Sequence, residues 1–168
     1  TVDIAIKSAL TGHLVLSTLH TTTAPGSVVR LINMGCEPFL ISASLVSIIA
    51  QRLIRKLCPK CREKYTPLEA LCVRLGIDAK KAKNVSFYRA KGCNACLNTG
   101  YSGRVGICEV LVMTPAVRSL VLKRARENGV KQVARNEGMM TLREDGISKV
   151  LAGQTSLEEI LRVTVVDE

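Results

Sequence analysis

The sequence has no tryptophan, only two phenylalanines and three tyrosines, so any core must be built from aliphatic side chains. It also lacks a run of about 20 apolar residues; the charge-free stretch 38–51 is too short for a spanning helix. No secretory leader is visible, and the first residue is Thr1 rather than Met, which suggests a fragment. Acidic residues are scarce. Fourteen Asp and Glu against 24 Lys and Arg leave a net charge of +10, which points to an anionic partner or, equally, to a surface biased toward solubility. The basic residues gather as Arg52/Arg55/Lys56, Lys80/Lys81/Lys83 and Lys123/Arg124/Arg126, with no aromatic residues between them. A single-strand binder would need such stacking platforms, so no nucleic-acid partner is expected.

What is present suits a globular chain: 168 residues, 47% of them apolar and 23% charged, are enough to bury a core. Seven cysteines are an odd number for an oxidised scaffold, and four of them fall into two C-x-x-C pairs, while Cys36, Cys72 and Cys108 stand alone. This usage predicts a reducing, cytosolic compartment.

Along the chain, Val2, Ile6 and Leu10 repeat at helical spacing and Gly12 follows as a stop. His13 to Leu19 reads as a buried strand. Thr23 and Pro25 are placed as cap and first turn of a helix that ends at Gly35. Ile41, Leu45, Ile48, Ile49, Leu53 and Leu57 line one face of a further helix. Helix, apolar strand and helix in succession predict α/β layering on a parallel sheet. Residues 105–113 read as a returning strand, Pro115 opens a helix over Val117 to Arg126, and Thr155 with Glu158 forms a capping box for a helical tail. The expected division is 1–57, 58–104 and 105–168.

Cys58-Pro59-Lys60-Cys61 and Cys93-Asn94-Ala95-Cys96 are knuckles of the type that turns two thiolates toward one metal, and together they complete a tetrahedral S₄ set. That donor set selects zinc first and an iron cluster second; unrelated buried cysteines are the plain alternative. The spacer exceeds the roughly 15–20 residues of common ribbons, so residues 66–90 should loop out. With all four positions filled, the site would be structural. The glycines after the second knuckle resemble those of DnaJ-type chaperones, but that family repeats its knuckle four times and this chain does not.

The strand His13–Leu19 runs into Thr18, His20 and three consecutive threonines. Ligands of open α/β sheets bind beyond the carboxyl ends of strands, where hydroxyls and an imidazole suit phosphate oxygens or an attacking water. A hydrogen-bonded core histidine would leave the same trace.

The stretches ALTGHLVLSTLHT, RLINMGCEPFLISASLVSIIAQRLIRKLCPKC, GCNACLNTGYSGRVGICEVL and TSLEEILRVT together resemble the C-terminal part of the secretion ATPases, which power type II secretion and type IV pilus assembly. The likeness runs from about Thr1 to Thr164. It implies the C-terminal half of a RecA-like P-loop NTPase core with an inserted zinc-binding module and a helical tail. It also implies a hexameric ring that hydrolyses ATP with Mg²⁺ and works in the cytoplasm, against platform proteins of the bacterial inner membrane. By resemblance His20 is the histidine-box residue that faces the γ-phosphate, His13 is the second, structural histidine, and Cys58, Cys61, Cys93 and Cys96 are the zinc ligands. The cysteines place the chain with the assembly or secretion branch, since the retraction ATPases lack them. One part of the pattern is absent: no G-x-x-x-x-G-K-[ST] loop occurs, and the acidic Walker B strand should lie before Thr1. Residues 1–168 alone are therefore expected not to hydrolyse ATP, and their partner is the N-terminal half of the same ATPase. The rival reading is a non-catalytic zinc-ribbon adaptor for nucleic acid or acidic protein.

Overall fold

In the computed structural model of the chain, residues 2–77 and 86–164 are described. In chain order the elements are α1 (Val2–Leu10), α2 (Ala24–Asn33), α3 (Pro38–Ser44), β1 (Ser47–Leu57), β2 (Glu63–Tyr65), α4 (Glu69–Arg74), β3 (Phe87–Arg89), a 3₁₀ turn (Asn94–Cys96) and β4 (Tyr101–Val112). The helices α5 (Pro115–Leu122), α6 (Glu127–Asn136), α7 (Leu142–Leu151) and α8 (Leu157–Val163) follow. Strand β1 pairs with β4 and β2 with β3. Two compact units divide the chain: Thr1–Ala50 with Glu109–Thr141, and Gln51–Cys108 with Leu142–Glu168. The basic cluster Lys80/Lys81/Lys83 lies outside the described residues.

The first unit is mainly helical, and α2 shows why local sequence sufficed there. Thr23 is its N-cap, accepting a hydrogen bond from the Gly26 amide at 3.0 Å, Pro25 occupies the first turn, and Gly35 ends it with φ of +89°. Its apolar face, Val28 and Leu31, is buried, as are Ile41 of α3, Val117 and Val121 of α5 and Val130 and Ala134 of α6. No aromatic side chain joins them.

In the second unit Ile54, Ile107, Phe87, Val150, Leu157 and Ile160 form one buried cluster with Cys72, Leu75 and Ile77. The tail closes it by borrowing the backbone of β1. The Leu57 amide donates to the Gln154 carbonyl, the Thr155 hydroxyl donates to the Arg55 carbonyl, and the Arg55 amide donates to Glu159.

Four local expectations change. His13–Leu19 forms no strand, and Leu14 and Leu16 are each 88% exposed. A strand exists through the ladder it makes with a neighbour; neither described sheet offers one to this segment, so the parallel sheet expected around it is not built among the described residues. The helix drawn over residues 41–57 is instead α3 followed by β1. Leu45 turns the chain extended (ψ 131°), and the β-branched Val46, Ile48 and Ile49 then favour a pleat. Ala50 and Ile54 point inward while Ile49 and Leu53 are 63% and 56% exposed, a period of two that the helical reading could not see. The helix opened by Pro115 stops at Leu122 rather than Arg126, because Arg124 adopts a left-handed φ of +51°. Finally, the tail helix is capped one residue later than expected. Ser156, not Thr155, accepts from the Glu159 amide at 3.3 Å, since Thr155 spends its hydroxyl on β1.

That shift makes Glu159, rather than Glu158, the informative carboxylate. Glu159 is 1% exposed and is gripped by the guanidinium groups of Arg55 (2.7 Å) and Arg162 (2.7 Å). Burial pushes its carboxyl up, but the hydrogen bonds from Arg162 and Arg55 outweigh this and hold it down at about 2. A carboxylate depressed on folding stabilises fully above its unfolded pKa of about 4.3, and the benefit disappears as pH falls toward the folded value. Glu159→Gln should therefore cost about 1–3 kcal/mol at pH 7, discounted for the half-exposed arginines, and almost nothing near pH 2. Urea unfolding midpoints of both proteins across that range check it.

Candidate metal centre and histidine segment

The knuckles meet because of the short β2–β3 ribbon. Its antiparallel register pairs Glu63 with Arg89, Lys64 with Tyr88 and Tyr65 with Phe87. The chain just after Cys61 thus lies beside the chain just before Cys93. Cys58 directly follows β1, donates its amide to the Gly100 carbonyl at 2.9 Å, and accepts at its own carbonyl from the amides of Cys61 and Arg62. The second knuckle is the 3₁₀ turn, closed by the Asn98 amide on the Cys93 carbonyl at 2.9 Å.

All four Sγ atoms lie within 4.8 Å of one another, with Cys61–Cys96 and Cys93–Cys96 both at 3.8 Å. A disulfide would need about 2.05 Å, and all seven cysteines are free thiols. The edge of a tetrahedron with metal–sulfur bonds of about 2.3 Å is about 3.8 Å. The group therefore fits one tetrahedral metal, and the four cysteines expected from the sequence are the four the fold assembles. The amides of Cys93 (3.3 Å) and Gly100 (3.2 Å) donate to the Cys96 sulfur. Burial opposes ionisation of Cys96, but these amides and the neighbouring Cys93 and Cys61 thiols outweigh it and bring the thiol down to about 6.

Gly100 matters twice over. Its φ is +75°, and a Cβ there would sit 2.5 Å from the Ala90 Cβ. Gly100→Ala should lower stability by about 1–3 kcal/mol, and by displacing the amide on Cys96 should weaken metal retention, read by the chelator concentration that strips half the metal.

The histidines are placed differently. Both are exposed. His13 Nδ1 is 3.1 Å from the Thr11 hydroxyl, and His20 lies in the irregular segment leading into α2. Neither is a buried core histidine. Around the start of α2, Thr21 Oγ1 and Ser27 Oγ are 2.6 Å apart and the Thr23 hydroxyl donates to Glu127 at 2.5 Å. The Ala24 amide donates to Glu109 at 2.8 Å. No reading of the sequence singled out Glu109 or Glu127; the one available signal was a lone carboxylate within the apolar run of β4.

The family model described as Type II/IV secretion system protein matches residues 1–162. The chain belongs to this family. It is 48% identical over 164 residues to the type II secretion system protein E of Pseudomonas aeruginosa, covering 98% of this chain and 32% of that protein. It is 45% identical to the type IV pilus assembly ATPase PilB of Myxococcus xanthus, covering 99% and 30%, and 42% identical to the PilB of Thermus thermophilus, covering 98% and 19%. The chain thus spans about a third or less of the length of these relatives. Among solved structures, the pilus retraction motor PilT with bound ADP superposes with a TM-score of 0.62 at 23% identity, over 97% of this chain and 36% of that one. That likeness shows the fold class to be that of the RecA-like secretion NTPases, as the resemblance implied. No described helix is long and apolar enough to cross a membrane.

Proposed function

We propose that this chain is the C-terminal part of a cytoplasmic, hexameric motor ATPase that powers type II secretion or type IV pilus assembly at the inner membrane. The observation that carries the reading is the 48% identity to a type II secretion protein over nearly the whole chain. In this reading residues 1–57 complete the nucleotide-binding core, 58–104 hold a structural zinc ion through Cys58, Cys61, Cys93 and Cys96, and 105–168 complete the fold around them.

Two features of the first unit support it. Leu14 and Leu16 stand almost fully exposed on a segment with no secondary-structure partner among the described residues, as strand residues do when their sheet partners come from elsewhere in a core; the N-terminal half of the same ATPase would supply them. His20 is likewise open to a ligand rather than spent in packing. When bound, ATP with Mg²⁺ would supply the reacting phosphate. This chain contributes His20, whose ring can orient a water or contact a phosphate oxygen, while a P-loop and its lysine would come from the N-terminal half.

The test is to express the whole coding sequence beside residues 1–168. The whole protein should hydrolyse ATP with Mg²⁺ and residues 1–168 should not. Upstream residues without a P-loop, or a whole protein that lacks ATPase activity but binds DNA with affinity falling steeply in salt, would favour the zinc-ribbon adaptor instead.

A further inference from the structure

The start of α2 is held by two carboxylates that reach it from elsewhere in the chain. Helix N-termini leave their first amides without partners and attract anions. Here those amides are already used. The Ala24 amide donates to Glu109 at 2.8 Å, Pro25 has none to give, and the Gly26 amide donates to the Thr23 hydroxyl at 3.0 Å. That hydroxyl in turn donates a hydrogen bond to Glu127 at 2.5 Å, and the Ser27 hydroxyl donates to the Thr23 carbonyl at 3.1 Å. A Cβ at position 26 would lie 2.6 Å from the Thr23 hydroxyl oxygen and 3.2 Å from both carboxylate oxygens of Glu127, so glycine is what lets the carboxylate reach the turn.

Two acidic side chains, one from β4 and one from α6, thus converge on the turn that begins three residues after His20. Glu109 is 2% exposed, on the same face of β4 as Ile107 and Leu111, both fully buried. An apolar residue would fill that place at less cost than a buried carboxylate, which has to be hydrogen-bonded to be tolerated. With its amides filled and two carboxylates beside it, this helix terminus is closed to a phosphate. Its chemistry suits an anchor.

We infer that Glu109 and Glu127 are positioning residues for His20: they pin Thr23 and Ala24, and so set where the histidine at the other end of the Thr21-Thr22 link stands relative to the nucleotide phosphate. The inference rests on the proposed role of His20. It treats the two carboxylates as acting through the histidine, touching no substrate themselves.

The experiment is a double-mutant cycle in the full-length ATPase. Glu127→Ala should lower kcat by about 5- to 100-fold, the range for a displaced reacting group, with KM for ATP held within about twofold. Combined with His20→Ala, it should lower kcat no further than His20→Ala alone, because a displaced histidine and a missing one are equivalent. Glu127→Gln, which keeps an acceptor for the Thr23 hydroxyl, should restore most of the loss. If the two effects multiply, or Glu127→Ala leaves kcat unchanged, or the Gln variant rescues nothing, the positioning role is overturned while the reading of His20 stands. If His20→Ala itself leaves kcat unchanged, the reading of His20 fails and this inference fails with it. Should Glu127→Ala not fold, Thr23→Val against Thr23→Ser runs the same cycle from the other side of the hydrogen bond.

Discussion

Purified without chelator, the protein should carry one zinc ion per chain, and losing it should melt much of the second unit. The β-structure around the cysteines is slight. Strands β2 and β3 are three residues each, and a short two-stranded ribbon is not stable in water by itself. Structural zinc sites contribute apparent free energies of about 10–16 kcal/mol, as large as the whole stability of a typical domain at about 5–15 kcal/mol. Cys93→Ser or Cys96→Ser should therefore release the metal and open residues 58–104 to protease. The damage should extend to α7 and α8, since Phe87 of the module shares its cluster with Val150, Leu157 and Ile160, and the Arg62 guanidinium donates to the Gly153 carbonyl at 2.6 Å. Helices α2, α3, α5 and α6, whose buried side chains belong to the first unit, should keep their amide protection. Hydrogen exchange resolved by peptide separates these two regions. A metal content near zero, or an unchanged protease pattern after Cys96→Ser, would sink the site.

In the full-length ATPase, His20→Ala should lower kcat by roughly 10-fold or more, within the 10²–10⁴ ceiling for one acid–base or positioning group. Nucleotide affinity should change less, because the phosphate-binding loop supplies most ground-state binding. His20 is exposed, so its removal opens no cavity and the melting temperature should hold. His13→Ala is the internal control. The described hydrogen bond of its side chain is the exposed one to Thr11, worth no more than about 1 kcal/mol, and turnover should be unaffected. Steady-state kinetics and a thermal melt on the same preparations decide the matter. Equal loss of activity in both variants, or a kcat for His20→Ala within about twofold of wild type, would remove His20 from the mechanism.

Much of this was legible before any coordinates. The α2 cap and its proline depend on residues within one turn of each other, and local chemistry decides local structure there. The four-cysteine cluster was legible for a similar reason, because a C-x-x-C turn commits two thiolates to one side whatever surrounds it. By itself the sequence settled that four particular cysteines could bind one metal and where α2 begins; the aliphatic core it predicted holds for the buried residues of the first unit, while in the second Phe87 joins the cluster.

Only the tertiary structure decided the rest, and in each case the cause was a partner distant in sequence. Ile41 to Leu57 satisfies a helical period and a strand period about equally well; pairing with β4, some fifty residues further on, made it a strand from Ser47. Leu14 to Leu19 has every local property of a strand but finds no ladder among the described residues. Thr155 lost the tail's cap to Ser156 because the Arg55 carbonyl claimed its hydroxyl. Glu109, Glu127 and Glu159 look like ordinary charged residues until helix and strand contacts bury or bind them. A carboxylate's role is set by which donors surround it, and donors brought together by folding from 85 to 104 residues away leave no local trace.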